Sequence, residues 1–171
     1  MRLFAALAFS ETTLNSLESI LTPLRNLSPG LRWIPRENLH LTLRFFGESE
    51  PERVAGLMES AVAGMDCRSL EFTFNRMGSF GRRVLWIGGR VSPGVGALAK
   101  ALGNPSFKPH VTIARPSRGA DVPEPLDFRP ISGVFHGMVL FESILAPGGA
   151  VYRKLGRWPQ GCCLENKCLL S

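Results

Sequence analysis

Two of the three histidines in this chain sit in one short pattern. Asn38-Leu39-His40-Leu41-Thr42-Leu43 is echoed by Lys108-Pro109-His110-Val111-Thr112-Ile113. Each copy reads His-aliphatic-Thr-aliphatic, and strict alternation puts each histidine beside its own threonine, on the strand face away from the core. Two imidazoles with ordinary pKa values near 6.5 can serve as one base and one acid. Two hydroxyls can donate to an oxyanion. If the two strands lie side by side, this set suits in-line displacement at phosphorus: a base for the nucleophile, an acid for the leaving oxygen, and donors for the non-bridging oxygens. One His-x-Thr alone reads as a surface histidine bonded to its threonine; two copies in matching strands outweigh that reading. Metal ligation is the weaker rival, because threonine is a poor zinc ligand and no third His or Cys is placed nearby. A serine triad lacks a Gly-x-Ser-x-Gly elbow.

The elements that must carry these residues follow from periodicity. A first strand is expected over Leu3–Phe9. Ser10 caps a helix whose apolar stripe is Leu14, Leu17, Ile20, Leu21 and Leu24. A short strand follows at Leu31–Ile34, then the motif strand Leu39–Phe45. Ser49 with Pro51 and Glu52 opens a second helix through Val62. Further strands are expected at Leu70–Phe74, Val84–Ile87, Phe107–Arg115, Gly133–Glu142 and Val151–Trp158. A short helix runs from Pro93 to Leu102. Pro116–Pro130 is proline-rich and reads as loop. Hairpins outnumber β-α-β units, so the class is α+β with mostly antiparallel sheet.

At 171 residues the chain suits one domain with a real core. Its longest apolar run, Leu3–Phe9, is far too short to cross a membrane. No secretory leader is read, so the expected address is cytoplasmic. The net charge of +6 comes from 16 Arg and 4 Lys against 14 acidic residues. Guanidinium is the forked donor for phosphate oxygens, so the Arg bias hints at a phosphate-bearing partner. Cys67 stands alone and Cys162, Cys163 and Cys168 crowd the C-terminus without zinc spacing. No metal or other cofactor is expected.

The two motifs in their setting, Glu37 to Glu48 and Phe107 to Arg115, resemble the 2H phosphoesterase superfamily. Within it the chain is similar to bacterial and archaeal RNA 2′,3′-cyclic phosphodiesterases, historically named 2′-5′ RNA ligases. The start Met1–Leu7 and the late Leu140–Ser143 and Pro147–Tyr152 also match. The resemblance covers Met1 to about Pro159. It implies two pseudo-symmetric lobes of mostly antiparallel sheet, with outer helices, around a central groove. One two-lobed domain over residues 1–160 and a Cys-containing tail over 161–171 follow, with the protein expected as a monomer. It implies metal-free hydrolysis of an RNA 2′,3′-cyclic phosphate to a 2′-phosphomonoester, with 2′-5′ ligation as the reverse activity. His40 would protonate the leaving oxygen, His110 would activate water, and Thr42 and Thr112 would hold the phosphate. Partners would be RNA ends bearing the cyclic phosphate, tRNA fragments among them, or small cyclic nucleotides. The alternatives are an RNA-end-binding module with little turnover and a phosphodiesterase for a small cyclic-phosphate metabolite.

Relatives of this kind use the residues five past each histidine, here Phe45 and Arg115, to hold the nucleoside. Simple strand parity disagrees: it sends position five to the core and leaves Arg44 and Phe46 on the groove side. A bulge in both copies would reconcile the two. The connection Leu102–Phe107 is also shorter than usual for such relatives, which would trim the groove wall. His136, Trp33, Trp86 and Trp158 read as packing residues, and Arg82-Arg83 as a solvated turn.

Overall fold

The first apolar run forms β1 (Arg2–Ala8), a strand buried on both faces. Leu3, Ala5 and Leu7 enter the main core, while Phe4 and Ala6 belong to a smaller aromatic cluster on the opposite face. That double burial is why the segment reads as a continuous hydrophobic run. The computed structural model describes residues 1–65, 70–81, 83–117, 123–147 and 149–159. Cys67, Arg82 and the tail holding Cys162, Cys163 and Cys168 lie outside the described residues.

Helix α1 (Glu11–Leu27) starts on Ser10, whose hydroxyl accepts from the Thr13 amide at 3.2 Å. It buries Leu17, Leu21 and Leu24. Strand β2 (Leu31–Trp33) and a 3-10 turn at Arg36–Asn38 lead into β3 (His40–Glu48), the first motif strand. Helix α2 (Pro51–Val62) has Glu50 rather than Ser49 at its N-cap position, without a side-chain capping bond, and Pro51 at its first position. Ser49 instead turns its hydroxyl to the Phe46 carbonyl. The hairpin β4 (Leu70–Phe80) and β5 (Val84–Val91) is longer than alternation alone suggests. Helix α3 (Pro93–Ala101) precedes β6 (His110–Pro116), the second motif strand.

The expected strand Gly133–Glu142 is in fact two. β7 (Ile131–Phe135) and β8 (Met138–Ala146) lie in different sheets. The chain crosses between them at His136-Gly137, where Gly137 takes φ +135°. β9 (Gly149–Trp158) completes the fold.

Sheet A has the order β3-β1-β8-β9 and sheet B the order β2-β6-β5-β4-β7, with every described pairing antiparallel. The architecture of the described residues is thus α+β, two antiparallel sheets with three α-helices. One core joins them: Leu3 and Leu41 from sheet A, Phe74 and Ile87 from sheet B, and Leu17, Met58 and Leu98 from the helices are all fully buried. Motif strand β3 is an edge of sheet A, whereas β6 is flanked on both sides in sheet B. Among the described residues, no helix is long and apolar enough to cross a membrane.

Candidate active site

The two motif strands turn their polar faces to one groove of about 340 Å³. His40, Thr42, His110 and Thr112 all line it, so residues 70 apart in sequence share one cavity. Leu39, Leu41 and Leu43, with Val111 and Ile113, are buried on the opposite face. The alternation read from sequence therefore separates buried aliphatic from groove-facing polar side chains around each histidine.

Both imidazoles are anchored alike. His40 Nδ1 lies 2.6 Å from the Asn38 carbonyl, and His110 Nδ1 lies 2.8 Å from the Lys108 carbonyl. A carbonyl only accepts, so each Nδ1 carries a proton, which leaves Nε2 as the ring nitrogen free to exchange one. In His40 that Nε2 accepts from the Thr42 hydroxyl at 3.0 Å. The bond from residue i to the carbonyl of i−2 fixes tautomer and ring orientation in one step.

The surroundings of the two rings differ. His40 lies on an aromatic bed: Phe4 at 5.0 Å between ring centroids, Tyr152 edge-on at 5.4 Å, and Phe141 at 6.0 Å. Phe4 and Phe141 stack beneath it at 5.1 Å. Burial in this bed pushes the His40 imidazole down to about 4. The Asn38 carbonyl pulls the other way, and the nearby His110 adds a small push downward. His110 meets the edge of Phe80, with centroids 4.8 Å apart and planes at 88°.

The parity conflict beyond the histidines is resolved by a bulge at the same place in both copies. Pairing of β1 with β3 matches Ala6 with Thr42 and then Ala5 with Arg44, which leaves Leu43 as an extra residue. Pairing of β5 with β6 matches Trp86 with Thr112 and then Leu85 with Ala114, which leaves Ile113 extra. Leu43 and Ile113 each stand three residues past their histidine. Each bulge carbonyl takes a donor from elsewhere: Asn104 Nδ2 to Leu43 at 2.7 Å, and the Ile34 amide to Ile113 at 2.8 Å. The extra residue reverses parity downstream.

Phe45 consequently lines the groove with 59% of its surface exposed, and Arg115 lines it as well. The parity expectation for Phe46 is corrected: its ring packs against the main core. Arg44 borders the groove, yet its Nη1 is committed to the Gly103 carbonyl and its guanidinium lies 5.6 Å from the Phe46 ring centre. That carbonyl lies just past the C-terminus of α3, the end of a helix that favours a cation nearby.

Helix α3 ends in a Schellman turn. Asn104 donates its amide to Ala99 and Gly103 to Lys100, with Gly103 at φ +87°. This turn presents Asn104 to the β3 bulge, so the short connection after Leu102 is the groove wall: Asn104, Ser106 and Phe107 all line the cavity. Sequence reasoning missed Asn104, Phe80 and Tyr152. Tyr152 is the only tyrosine, on a strand whose alternation was visible; nothing local could have put it against His40. His136 lies at the sheet crossover and is not among the groove residues.

Among known proteins, the family described as LigT like Phosphoesterase matches residues 7–86. An RNA 2′,3′-cyclic phosphodiesterase of Thermotoga maritima is 30% identical, over 91% of this chain and 93% of that protein. The crystal structure of TT0787 of Thermus thermophilus superposes with a TM-score of 0.76 at 28% identity, covering 92% of this chain and 96% of that one. The structure of Escherichia coli LigT complexed with phosphate gives a TM-score of 0.68 at 32% identity, covering 92% and 95%.

Proposed function

The chain belongs to the LigT-like phosphoesterase family, and from that premise we propose that it opens 2′,3′-cyclic phosphates at RNA ends to give 2′-phosphomonoesters. The observation that carries this reading is the pair of imidazoles, each tied through Nδ1 to its i−2 carbonyl and each lining the same groove. The Thermotoga relative is named for that reaction, and the Escherichia coli neighbour is described with phosphate.

In the assignment that follows the family resemblance, His110 Nε2 takes the proton of a water as its oxygen attacks phosphorus. The bond from phosphorus to the ribose 3′ oxygen breaks, and His40 gives that oxygen a proton. Thr42 and Thr112 donate to the non-bridging oxygens, where charge builds up. Phe45 and Arg115 hold the terminal nucleoside, and Arg44 steadies the rim beside Phe45. His40 is neutral in the free protein at pH 7, so it must gain its proton with the substrate. A phosphodiester anion beside the ring favours the imidazolium, and Thr42 then turns its hydroxyl from Nε2 to the phosphate. The opposite assignment, with His40 as base, draws support from that same lowered pKa.

A substrate with sulfur in place of the leaving 3′ oxygen separates the two, because a thiolate leaves without protonation. His40→Ala and His110→Ala should each lose roughly 10²- to 10⁴-fold on the oxygen substrate. Recovery of His40→Ala alone on the sulfur substrate identifies His40 as the acid; recovery of His110→Ala alone reverses the roles. Wild-type activity in either alanine variant would defeat the two-histidine scheme. EDTA should leave the rate unchanged, and its loss would refute metal independence. A tight complex with a cyclic-phosphate oligonucleotide and no product would favour an RNA-end-binding module instead.

A further inference from the structure

The groove face of sheet B does not stop at β6. Cross-strand partners share a face, so the register carries it onward: His110 opposes Gly88, Thr112 opposes Trp86, and on the next strand Arg76 opposes Gly88 and Gly78 opposes Trp86. Two of these positions are glycines, and both give their space to the same ring. A methyl on Gly78 would run into the Trp86 indole, and one on Gly88 would meet the Pro109 carbonyl first and then the far edge of the same indole at 3.1 Å. The indole therefore lies flat along the sheet, across strands, rather than standing on edge. Phe80 flanks it at 5.4 Å between centroids and is itself 39% exposed.

The result is a second cavity of about 270 Å³, with Trp86 and Phe80 in its lining and Arg76, Lys108 and His110 around them. His110, Phe80, Phe107 and Lys108 belong to both cavities, so the second opens beside the first with His110 between them. Arg76 and Lys108 are exposed, and neither is in an ion pair among the described residues. A flat aromatic floor with cations at its rim, on an open sheet, has the chemistry of a nucleobase platform with a phosphate holder.

We infer that the Trp86–Phe80 floor with Arg76 is a second nucleotide subsite, which binds one further unit of single-stranded RNA on the far side of His110 from the terminal nucleoside. This rests on the proposed reaction and narrows its substrate class from any cyclic phosphate to RNA of at least two nucleotides. The unit can come from the substrate's own strand or from a second strand whose 5′-hydroxyl replaces water. In the second case the 5′ oxygen bonds to phosphorus and its proton passes to one imidazole. The bond to the 3′ oxygen breaks and that oxygen takes a proton from the other imidazole, leaving a 2′–5′ diester.

The test compares kcat/KM for a mononucleoside 2′,3′-cyclic phosphate and for a trinucleotide ending in the same residue. It also measures 2′–5′ product when a 5′-hydroxyl dinucleotide is added. Wild type should prefer the trinucleotide, or capture the dinucleotide, by roughly tenfold or more, the scale of one stacked base. Arg76→Glu should abolish that preference while mononucleoside turnover stays unchanged. Trp86→Leu should do the same; only the ratio of the two substrates is read, so a general folding loss cancels. Equal kcat/KM for both substrates with no dinucleotide capture overturns the subsite, as does a preference that survives both variants. If neither substrate turns over, the proposed reaction fails by itself. Quenching of tryptophan fluorescence by the trinucleotide in wild type but not in Trp86→Phe would then still uphold the platform, and its absence would remove it.

Discussion

His40 is neutral because of what it rests on. The aromatic bed of Phe4, Phe141 and Tyr152 strips water from the ring and holds its pKa near 4, below the ordinary 6.5. A lowered histidine pKa makes stability depend on pH in one direction. Above about 6.5 the ring is neutral in both folded and unfolded chains, and its contribution is fully present. Below that the unfolded chain takes up a proton the folded one refuses, so stability falls until about pH 4. The loss is on the order of 3 kcal/mol at about 1.36 kcal/mol per pH unit. Urea unfolding of the free protein should show this slope, and His40→Gln should flatten it. An unchanged slope in the variant would place the pH dependence elsewhere. Bound inorganic phosphate should oppose the effect, with proton uptake on binding near pH 6 measurable by calorimetry in two buffers. The histidine–threonine pairs were legible from alternation alone, because a half-buried strand has only two faces. The bed under His40 was not, since Phe4, Phe141 and Tyr152 come from three strands that the sequence does not join.

The two motif strands show where a periodic reading stops. Up to Thr42 and Thr112, period two is obeyed; one residue later each strand inserts a bulge. Bulges at Leu43 and Ile113 are sustained by donors distant in sequence, Asn104 and Ile34, so no local signal announces them. The resulting switch of parity is testable on adjacent residues. Phe45→Ala should raise KM several-fold with little change in stability, because its ring is mostly exposed. Phe46→Ala should instead cost about 1–3 kcal/mol in unfolding and leave KM near wild type. The reverse pattern would restore simple parity. Asn104→Ala removes the donor to the Leu43 carbonyl and should cost about 1–3 kcal/mol for the acceptor left unpaired. It should also raise KM, since the bulge aims Phe45; a stability loss with unchanged KM would disconnect the α3 turn from the groove. The single expected strand over Gly133–Glu142 failed for a related reason. Phe135 and Met138 are both fully buried and strand-like, and only the switch of sheet at Gly137 separates them.

Across the whole molecule, the +6 charge resolves into particular positions. Arg25 is paired with Glu18, Arg36 with Glu11 and Arg153 with Glu142. Arg115 and Lys108 remain at the groove and Arg76 at its extension. An RNA substrate should therefore lose kcat/KM with salt more steeply than a mononucleotide. Each additional phosphate contact adds about 0.7 to the log–log slope; equal slopes would mean that only the terminal phosphate is held. The sheets also divide the chain unevenly. Sheet B is drawn entirely from residues 31–135, whereas sheet A needs β1 and β3 from the start and β8 and β9 from the end. On the ribosome, where earlier segments fold first, the sheet bearing His110 has all its strands once Phe135 has emerged. His40, made 70 residues earlier, must wait for Phe141 and Tyr152. A nascent chain thus holds His110 in a finished sheet while His40 stands in an unfinished one, and the two are set across one groove only after Tyr152 has been made.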